Sequence, residues 1–291
     1  MTFLQSILMG LIQGLTEFLP VSSSGHLAIF KILFNVNTDT GLLFDVLLHV
    51  GTLIAVFAVY YKDIFRLIAE FIKMVIDCIY NITVLIGKAA KKEGEYRKIV
   101  STSYRKFVLL VVVSTIPTGI IGYVGQDLVT AASENLIVPG ICLLITGVIL
   151  LISDMVPDGT KTPRQTTYAN AIIIGIFQGI ATLPGISRSG STIAACVFNG
   201  LDRKFAVKYS FILSIPAILG ALVLELHSEI GNITATPSEI GGYAAGMIVA
   251  AVVGYICIKL MLAIVKNKKF KYFSYYCFAA GAVAIIGSFL I

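Results

Sequence analysis

The chain repeats one pattern, in which an apolar segment ends in a cluster of glycine, proline and serine. The first copy reads GLIQGLTEFLPVSSSGH over 10–26, and the second reads GIFQGIATLPGISRSGST over 175–192. A shift of 165 residues superposes Gly10, Gln13, Gly14, Ser22, Ser24 and Gly25 on Gly175, Gln178, Gly179, Ser187, Ser189 and Gly190. Such repeats with interrupted apolar segments are typical of membrane proteins built from two related halves, whose site lies where the breaks meet.

The composition indicates the same class. A hydrophobic content of 57% and a charged content of 13% exclude an ordinary soluble domain. The mean hydropathy is +0.91, and several apolar runs reach the length of about 18 residues that indicates a membrane helix. Because there is no long polar linker, we expect a single membrane domain over 1–291, with repeat one in 1–156 and repeat two in 157–291. The opening segment has no basic residue before Lys31, so no cleavable signal peptide is expected.

The basic residues are concentrated in a few connecting regions. Nineteen of the 22 Lys and Arg residues lie in four of these, at 62–106, 157–168, 200–208 and 266–271. The connectors 35–41, 125–135 and 227–240 contain none. Because Lys and Arg are retained on the cytoplasmic side of membranes, this bias predicts which loops lie inside. It also argues against nucleic acid as the partner that the formal net charge of +6 could suggest.

The charge bias predicts an inverted repeat. Six full crossings alternate consistently with it, at 42–61, 107–124, 136–156, 205–226, 241–265 and 273–291. Residues 1–34 and 169–200 are interrupted, and too few apolar residues follow each break for a crossing of roughly 20 residues. Both are expected to be re-entrant helical hairpins that enter from opposite faces. The predicted fold is an all-α polytopic membrane protein with two inverted-topology repeats, each one hairpin plus three transmembrane helices.

Residues 64–87 combine an apolar run with a polar stripe. Its polar members recur every three or four residues, at Arg66, Glu70, Lys73, Asp77 and Asn81. This period places them on one helical face, which predicts a helix on the cytoplasmic surface. The alternative is a crossing helix with one polar face turned into the bundle.

The two breaks predict an anion site. Each is followed by a short helix whose first turn carries free N–H groups and partial positive charge, so two converging tips suit a phosphate. Hydroxyl side chains surround the same point, at Ser22, Ser23, Ser24, Ser187, Ser189 and Thr192. Each of them alone also fits a helix cap or turn residue. Arg188 suits bidentate phosphate binding, with a structural pair to Glu17 as the alternative.

The residues suited to acid–base chemistry lie in the first repeat. Glu17 and His26 lie on opposite arms of the first hairpin, where a carboxylate and an imidazole can move protons. Glu17 can also hold a divalent cation. Gln13 lies one helical turn before Glu17 and can bind phosphate or Glu17. His49 is interpreted as a hydrogen-bonded membrane histidine, and Asp45 as an interfacial residue at a helix end.

These motifs resemble the bacterial undecaprenyl-diphosphate phosphatase family, often called BacA or UppP. The first family motif is similar to Gln13-Gly-Leu-Thr-Glu17 and the following Phe-Leu-Pro-Val-Ser-Ser-Ser-Gly-His26. The second, Pro-Gly-x-Ser-Arg-Ser-x-x-Thr, is matched from Pro184 to Thr192. The resemblance covers essentially the whole chain. Many family members carry Glu where this chain has Gln13, so a mechanism that needs two carboxylates is in doubt here.

The resemblance implies hydrolysis of a C55 polyprenyl diphosphate lipid to the monophosphate and inorganic phosphate, in the bacterial inner membrane. This recycles the lipid carrier for cell-wall synthesis and confers bacitracin resistance. Carried over by motif position, Glu17, Ser23, His26 and Arg188 form the catalytic group. The substrate contacts are Ser187, Ser189 and Thr192, with Gln13, Ser22 and Ser24 in support. The nucleophile is Ser23, His26 or a water molecule.

The resemblance and the site leave some alternatives open. A divalent cation, Mg or Ca, can be shared between Glu17 and the substrate, and no organic cofactor is expected. The partners expected are the lipid substrate and membrane lipids, with a homodimer as one open oligomeric state. A transporter or flippase of a polyprenyl phosphate or other phosphorylated solute is the alternative function, because inverted repeats with broken helices also characterise secondary transporters.

Overall fold

In a computed structural model, the described residues form eleven helices. The described residues are 1–34, 36, 41–89, 93–229, 237–265 and 270–290. Residue 291, the last of the predicted crossing 273–291, lies outside the described residues. The same holds for 35, 37–40, 90–92, 230–236 and the basic stretch 266–269. The helices are α1 Phe3–Phe18, α2 Ser23–Leu33, α3 Gly41–Ala89, α4 Ser103–Val124, α5 Gln126–Ser133, α6 Ile137–Met155, α7 Tyr168–Ile180, α8 Arg188–Phe198, α9 Arg203–Glu229, α10 Pro237–Val265 and α11 Phe270–Gly287.

Six of the described helices are long and apolar enough to cross a membrane. The spans are Phe44–Lys88, Ser103–Val124, Ile137–Met155, Arg203–Leu224, Glu239–Val265 and Phe270–Gly287. Each overlaps one predicted crossing, which confirms the all-helical, multi-pass class. The exposed surface of these helices is rich in Ile, Val and Phe, as a lipid-facing surface must be.

Both predicted interruptions are breaks between helices. α1 ends at Phe18 because the next residue, Leu19, precedes a proline and has the extended backbone (φ −72°, ψ 142°) that such a position favours. α2 then begins after an N-cap at Ser22, whose hydroxyl accepts the N–H of Gly25 at 3.3 Å. In the second copy, α8 begins after the N-cap Ser187, which accepts the N–H of Gly190 at 3.1 Å. Local capping therefore places both tips.

Residues 64–87 follow the predicted crossing at 42–61 beyond a kink in the helix, and their position on the cytoplasmic surface stays a prediction. α3 runs from Gly41 to Ala89 with a kink at Tyr60, where φ is −108° and ψ is 18°. Its polar stripe does occupy one face, because Arg105 donates to Glu70 at 2.9 Å and to Asp77 at 2.7 Å. Ion pairs with α4 therefore satisfy the polar face of α3, whereas the apolar face of α3 is exposed.

Close helix contacts support both broken pairs from outside. α1 packs along α10, and α7 packs along α4. A Cβ added at Gly10 would lie 2.3 Å from the carbonyl oxygen of Gly246, and one added at Gly175 would lie 2.2 Å from that of Ser114. These repeated glycines let two backbones touch, which is how membrane helices associate when no hydrophobic driving force exists.

Candidate functional site

The tips of the two broken helix pairs meet inside the bundle. The hydroxyl of Ser22 accepts the N–H of Gly185 at 3.1 Å, and a Cβ at Gly25 would lie 2.8 Å from the Cα of Gly185. α6 holds the second tip, since Thr146 donates to the carbonyl of Gly185 at 2.9 Å and accepts the N–H of Ser187 at 3.0 Å. The two tips are therefore in direct contact, although they are far apart in sequence.

Glu17 lies where the two tips meet. It is 5% exposed, and its carboxylate accepts hydrogen bonds from three of the predicted site residues. Ser23 donates to Oε2 at 2.5 Å and Gln13 donates to the same oxygen at 3.0 Å. Arg188 donates from Nη2 to Oε1 across the tip interface. The structure thus brings Gln13, Glu17, Ser23 and Arg188 together.

A cavity of about 320 Å³ opens beside this cluster. Its polar lining comes from both tips and from α3, and includes Glu17, Ser22, Ser23, Ser24, Asp45, His49, Thr182 and Arg188. Apolar side chains of α9, among them Ile218 and Leu222, form another wall. A small polar patch inside an apolar cavity is what a site for an amphiphile with an anionic headgroup requires.

The ring of His26 bonds Ser22 and Tyr276 rather than Glu17. Its Nδ1 lies 2.7 Å from the carbonyl oxygen of Ser22, and its Nε2 lies 2.7 Å from the hydroxyl of Tyr276. The ring also stacks on Tyr276, with centroids 5.6 Å apart. Both ring nitrogens are thereby engaged, and the imidazole fixes the turn at Ser22, a non-glycine residue with φ of 69°.

Three other predicted substrate contacts are buried in the scaffold. Ser187 is the N-cap of α8, and Ser189 donates to the carbonyl of Leu19 at 3.3 Å. Thr192 donates to the carbonyl of Arg188 at 2.8 Å and lies 2.5 Å from the hydroxyl of Ser210. In this conformation their hydroxyls stabilise α8 and its contact with the first tip, as the capping alternative expected. Ser22 and Ser24 line the cavity itself.

His49 and Asp45 belong to the site, although the sequence interpretation gave them no role. His49 Nε2 lies 3.8 Å from Glu17 Oε2, and its Nδ1 lies 2.8 Å from the carbonyl oxygen of Asp45. The Asp45 carboxylate accepts from Lys31 at 2.5 Å. The four-residue spacing of Asp45 and His49 places them on one helix face, which was the available signal. This spacing does not predict which residues of other helices that face contacts.

The donor set does not form a metal centre of its own. Among the described residues, no three His, Cys, Asp or Glu side chains gather as a metal site would require. Glu17 already accepts from Gln13, Ser23 and Arg188, so both of its oxygens are engaged. The five cysteines are free thiols at scattered positions.

This fold and site define a polytopic membrane protein with an acid–serine–arginine cluster buried between two helix tips. Comparison with known proteins identifies its family: a model described as "Bacitracin resistance protein BacA" matches residues 6–283. The chain belongs to this family.

Relatives align over nearly the full length. A protein of Alkaliphilus metalliredigens named undecaprenyl-diphosphatase is 43% identical, and the alignment covers 100% of both chains. One of Methanobrevibacter smithii with the same name is 40% identical over 99% of this chain and 98% of that protein. A third, of Methanosphaera stadtmanae, is 38% identical over 97% of each chain.

Proposed function

We propose that the protein hydrolyses undecaprenyl diphosphate to undecaprenyl phosphate and inorganic phosphate. It is a multi-pass membrane enzyme, and its relatives in the family bear the name of this activity. The observation that carries the chemistry is the contact of both Ser23 and Arg188 with Glu17 beside the cavity. A hydroxyl with an adjacent base and a cation is the arrangement that phosphoryl transfer to a serine needs.

Ser23 is the nucleophile in this mechanism. Its Oγ attacks the terminal phosphorus while Glu17, at 2.5 Å, takes the hydroxyl proton. The bond to the bridging oxygen breaks, and the lipid monophosphate leaves. Glu17 passes its proton to the departing lipid phosphate and is a carboxylate again. It then takes a proton from water, and the resulting hydroxide attacks the phosphorus of the phosphoserine. The bond between phosphorus and Ser23 Oγ breaks, Glu17 returns the proton to Oγ, and inorganic phosphate leaves.

Arg188 binds the diphosphate and stabilises the charge of the transferring group. In the free protein it pairs with Glu17, and this pair is well shielded, with 20% and 3% of the two side chains exposed. Arriving phosphate oxygens compete for the guanidinium, which frees Glu17 to act as the base. Arg188 therefore pairs with Glu17 before the substrate arrives and with the phosphate afterwards.

His26 acts as a positioning residue in this proposal. Its bond to the Ser22 carbonyl holds the turn from which α2 starts, and Ser23 is the first residue of that helix. His49 faces the carboxylate at 3.8 Å and takes the place beside Glu17 that the sequence assigned to His26. Ser22 and Ser24 contact the substrate from the cavity wall, while Ser187, Ser189 and Thr192 hold α8 and thereby Arg188.

A divalent cation stays a proposal for the substrate-bound state only. Mg²⁺ and Ca²⁺ are commonly held by one or two carboxylates together with phosphate oxygens, so Glu17 and the diphosphate could share one. Since the described residues form no metal site by themselves, no step above uses a metal. Titrating Mg²⁺ and Ca²⁺ into metal-stripped enzyme while following substrate binding tests this point.

The inverted repeat of 1–156 and 157–291 is part of the proposal. It is supported by α2 and α8, whose starts and ends are both 165 residues apart, and by the capping boxes at Thr2 and Thr167, which share that spacing. The exchange of packing between halves, α1 on α10 and α7 on α4, adds to it. The test places single cysteines at the exposed residues Ser133 and Arg164, which flank α6. A thiol reagent should label these two cysteines from opposite sides of the membrane.

The activity is tested by phosphate release from undecaprenyl diphosphate by the purified protein. We expect release by the wild type, almost none from Ser23→Ala and Arg188→Ala, and a phosphorylated Ser23 peptide in acid-quenched reactions. A phosphorylated His26 would replace the serine mechanism. Binding of the lipid without release of phosphate would favour the transporter.

A homodimer is the oligomeric state that we propose, and light scattering of the same sample measures it.

A further inference from the structure

A second cavity, with charged residues in its lining, lies between α3, α4 and α9, away from Glu17. It has a volume of about 430 Å³, and its lining includes Asp63, Ser103, Tyr104, Lys204 and Lys208. None of its lining residues lines the cavity beside Glu17. It is therefore a separate feature that the phosphatase mechanism does not use.

The charges in this cavity leave a cation available. Lys208 donates to Asp63 at 2.9 Å, and Tyr104 donates to the same carboxylate oxygen at 2.8 Å. Lys204 is exposed and forms no ion pair with any residue in the described part of the chain. With two lysines facing one neutralised carboxylate, the cavity carries net positive charge and attracts an anion.

An apolar cavity of about 340 Å³ continues from it along the same three helices. The linings follow one another by helical steps, from Asp63 to Leu67 on α3, from Tyr104 to Val108 on α4, and from Lys208 to Ile212 on α9. We name the two cavities together the α3–α4–α9 groove.

The apolar end of the groove is open to its surroundings. Ile68, Phe71 and Val112 line it and are 48%, 49% and 44% exposed. A hydrocarbon chain can therefore enter sideways from the bilayer. The groove has a basic head and an apolar, laterally open body, which matches an anionic lipid in shape and charge.

We propose that the α3–α4–α9 groove binds an anionic diacyl phospholipid, with the headgroup phosphate at Lys204 and Lys208 and an acyl chain along the apolar end. The basic end lies beside the connectors 62–106 and 200–208, which the charge bias assigns to the cytoplasmic side. Anionic lipids give that leaflet its negative surface potential. This site does not depend on the phosphatase proposal.

The test is native mass spectrometry of the delipidated full chain, titrated with phosphatidylglycerol or phosphatidylcholine. We expect one saturable phosphatidylglycerol site and at least about tenfold weaker phosphatidylcholine binding, as two lysines near an anionic headgroup imply. Lys204→Ala should weaken phosphatidylglycerol binding about fivefold. Lys73→Ala is the matched control, because it removes an exposed lysine outside the groove and should leave binding unchanged.

A second variant tests the apolar end. Val112→Trp fills the open part of the groove and should weaken binding of the lipid, whereas Val148→Trp on α6 should not. Both valines are similarly exposed, at 44% and 47%, so neither substitution disturbs the core. Thermal midpoints equal to the wild type check that both variants fold.

Several results would overturn the assignment. Equal binding of the two phospholipids, or an unaltered affinity in Lys204→Ala, would remove the headgroup site. Displacement by inorganic phosphate would make it a free-phosphate site. Displacement of phosphatidylglycerol by a lower concentration of undecaprenyl phosphate would show that the occupant is the polyprenyl lipid.

Discussion

The α1–α2 pair and the α7–α8 pair share a scaffold that survives the 165-residue shift. Both first helices begin with a threonine capping box, at Thr2 and Thr167. Both second helices begin after a serine N-cap, at Ser22 and Ser187. The repeated glycines serve the same purpose in each pair, since they bring the first helix against a neighbouring backbone.

Their chemistry differs at the positions that face the cavity. The first residue of α2 is Ser23, and its counterpart at the start of α8 is Arg188. Both donate to Glu17, whose own counterpart, Thr182, lines the same cavity as a neutral hydroxyl. Two helix starts that correspond under the 165-residue shift therefore meet at one carboxylate, and they carry different side chains there.

The two tips also differ in backbone. The prolines are one residue out of register, as Pro20 aligns with Gly185 after the shift. In the second tip a glycine, Gly185, takes the positive φ of 96°, whereas in the first tip Ser22 takes one of 69°. A serine in this conformation costs on the order of 1–3 kcal/mol, and strain of this kind concentrates at functional sites. The first tip, which carries Ser23, is therefore the strained one.

Removing the hydroxyl at the start of α2 should have the largest effect. Ser23→Ala is expected to lower the turnover of polyprenyl diphosphate by roughly 10³-fold or more, because the nucleophile is lost. Ser191→Ala in α8 is the control, since its buried hydroxyl has no partner among the described residues. Phosphate release measures both, and a Ser23→Ala enzyme within tenfold of wild type would contradict a serine nucleophile.

The counterpart position should be the next most sensitive. Arg188→Lys keeps the charge but loses the planar fork, so we expect about a 10²-fold lower rate. Arg97→Lys, at an exposed pair with Asp77, should leave the rate unaltered. Steady-state kinetics separate kcat from KM, and full activity of Arg188→Lys would show that a point charge is sufficient.

The shared scaffold predicts a loss of stability without a direct chemical effect. Gly175→Ala forces a Cβ into the Ser114 carbonyl and should destabilise the fold by about 1–3 kcal/mol. Gly119→Ala, where a Cβ meets nothing within 4 Å, should be neutral or slightly stabilising. The measurement is the thermal midpoint in detergent, and equal midpoints for the two variants would break the packing argument.

The repeated glutamines should show the smallest contrast. Gln13→Ala removes one hydrogen bond to Glu17 and should lower the rate about tenfold. Its counterpart Gln178 donates instead to Leu213 and Thr118, at 3.4 Å each, so Gln178→Ala should leave the rate unaltered. Equal rates for the two variants would mean that Gln13 serves packing alone.

Histidines mark the limit of prediction from sequence. His26 follows the hydroxyl-rich first tip, which made it the natural candidate for a base, yet its ring bonds Ser22 and Tyr276. His49 lies in an apolar crossing, four residues after Asp45, and it faces Glu17. The direction of a side chain on a short helix depends on which other helix lies opposite, and hydropathy does not carry that information.

The sequence by itself determined the membrane class, the six long helices, the two interrupted pairs and the four residues that meet at the Glu17 carboxylate, Gln13, Glu17, Ser23 and Arg188. Hydropathy, helix breakers and caps are local properties, so they can be read along the chain. Only the tertiary structure decided that the polar stripe of α3 pairs with Arg105, that His49 lies beside Glu17 in place of His26, and that Ser23 and Arg188 meet one carboxylate. These outcomes depend on contacts between helices distant in the chain, where packing selects among faces that are equivalent in sequence.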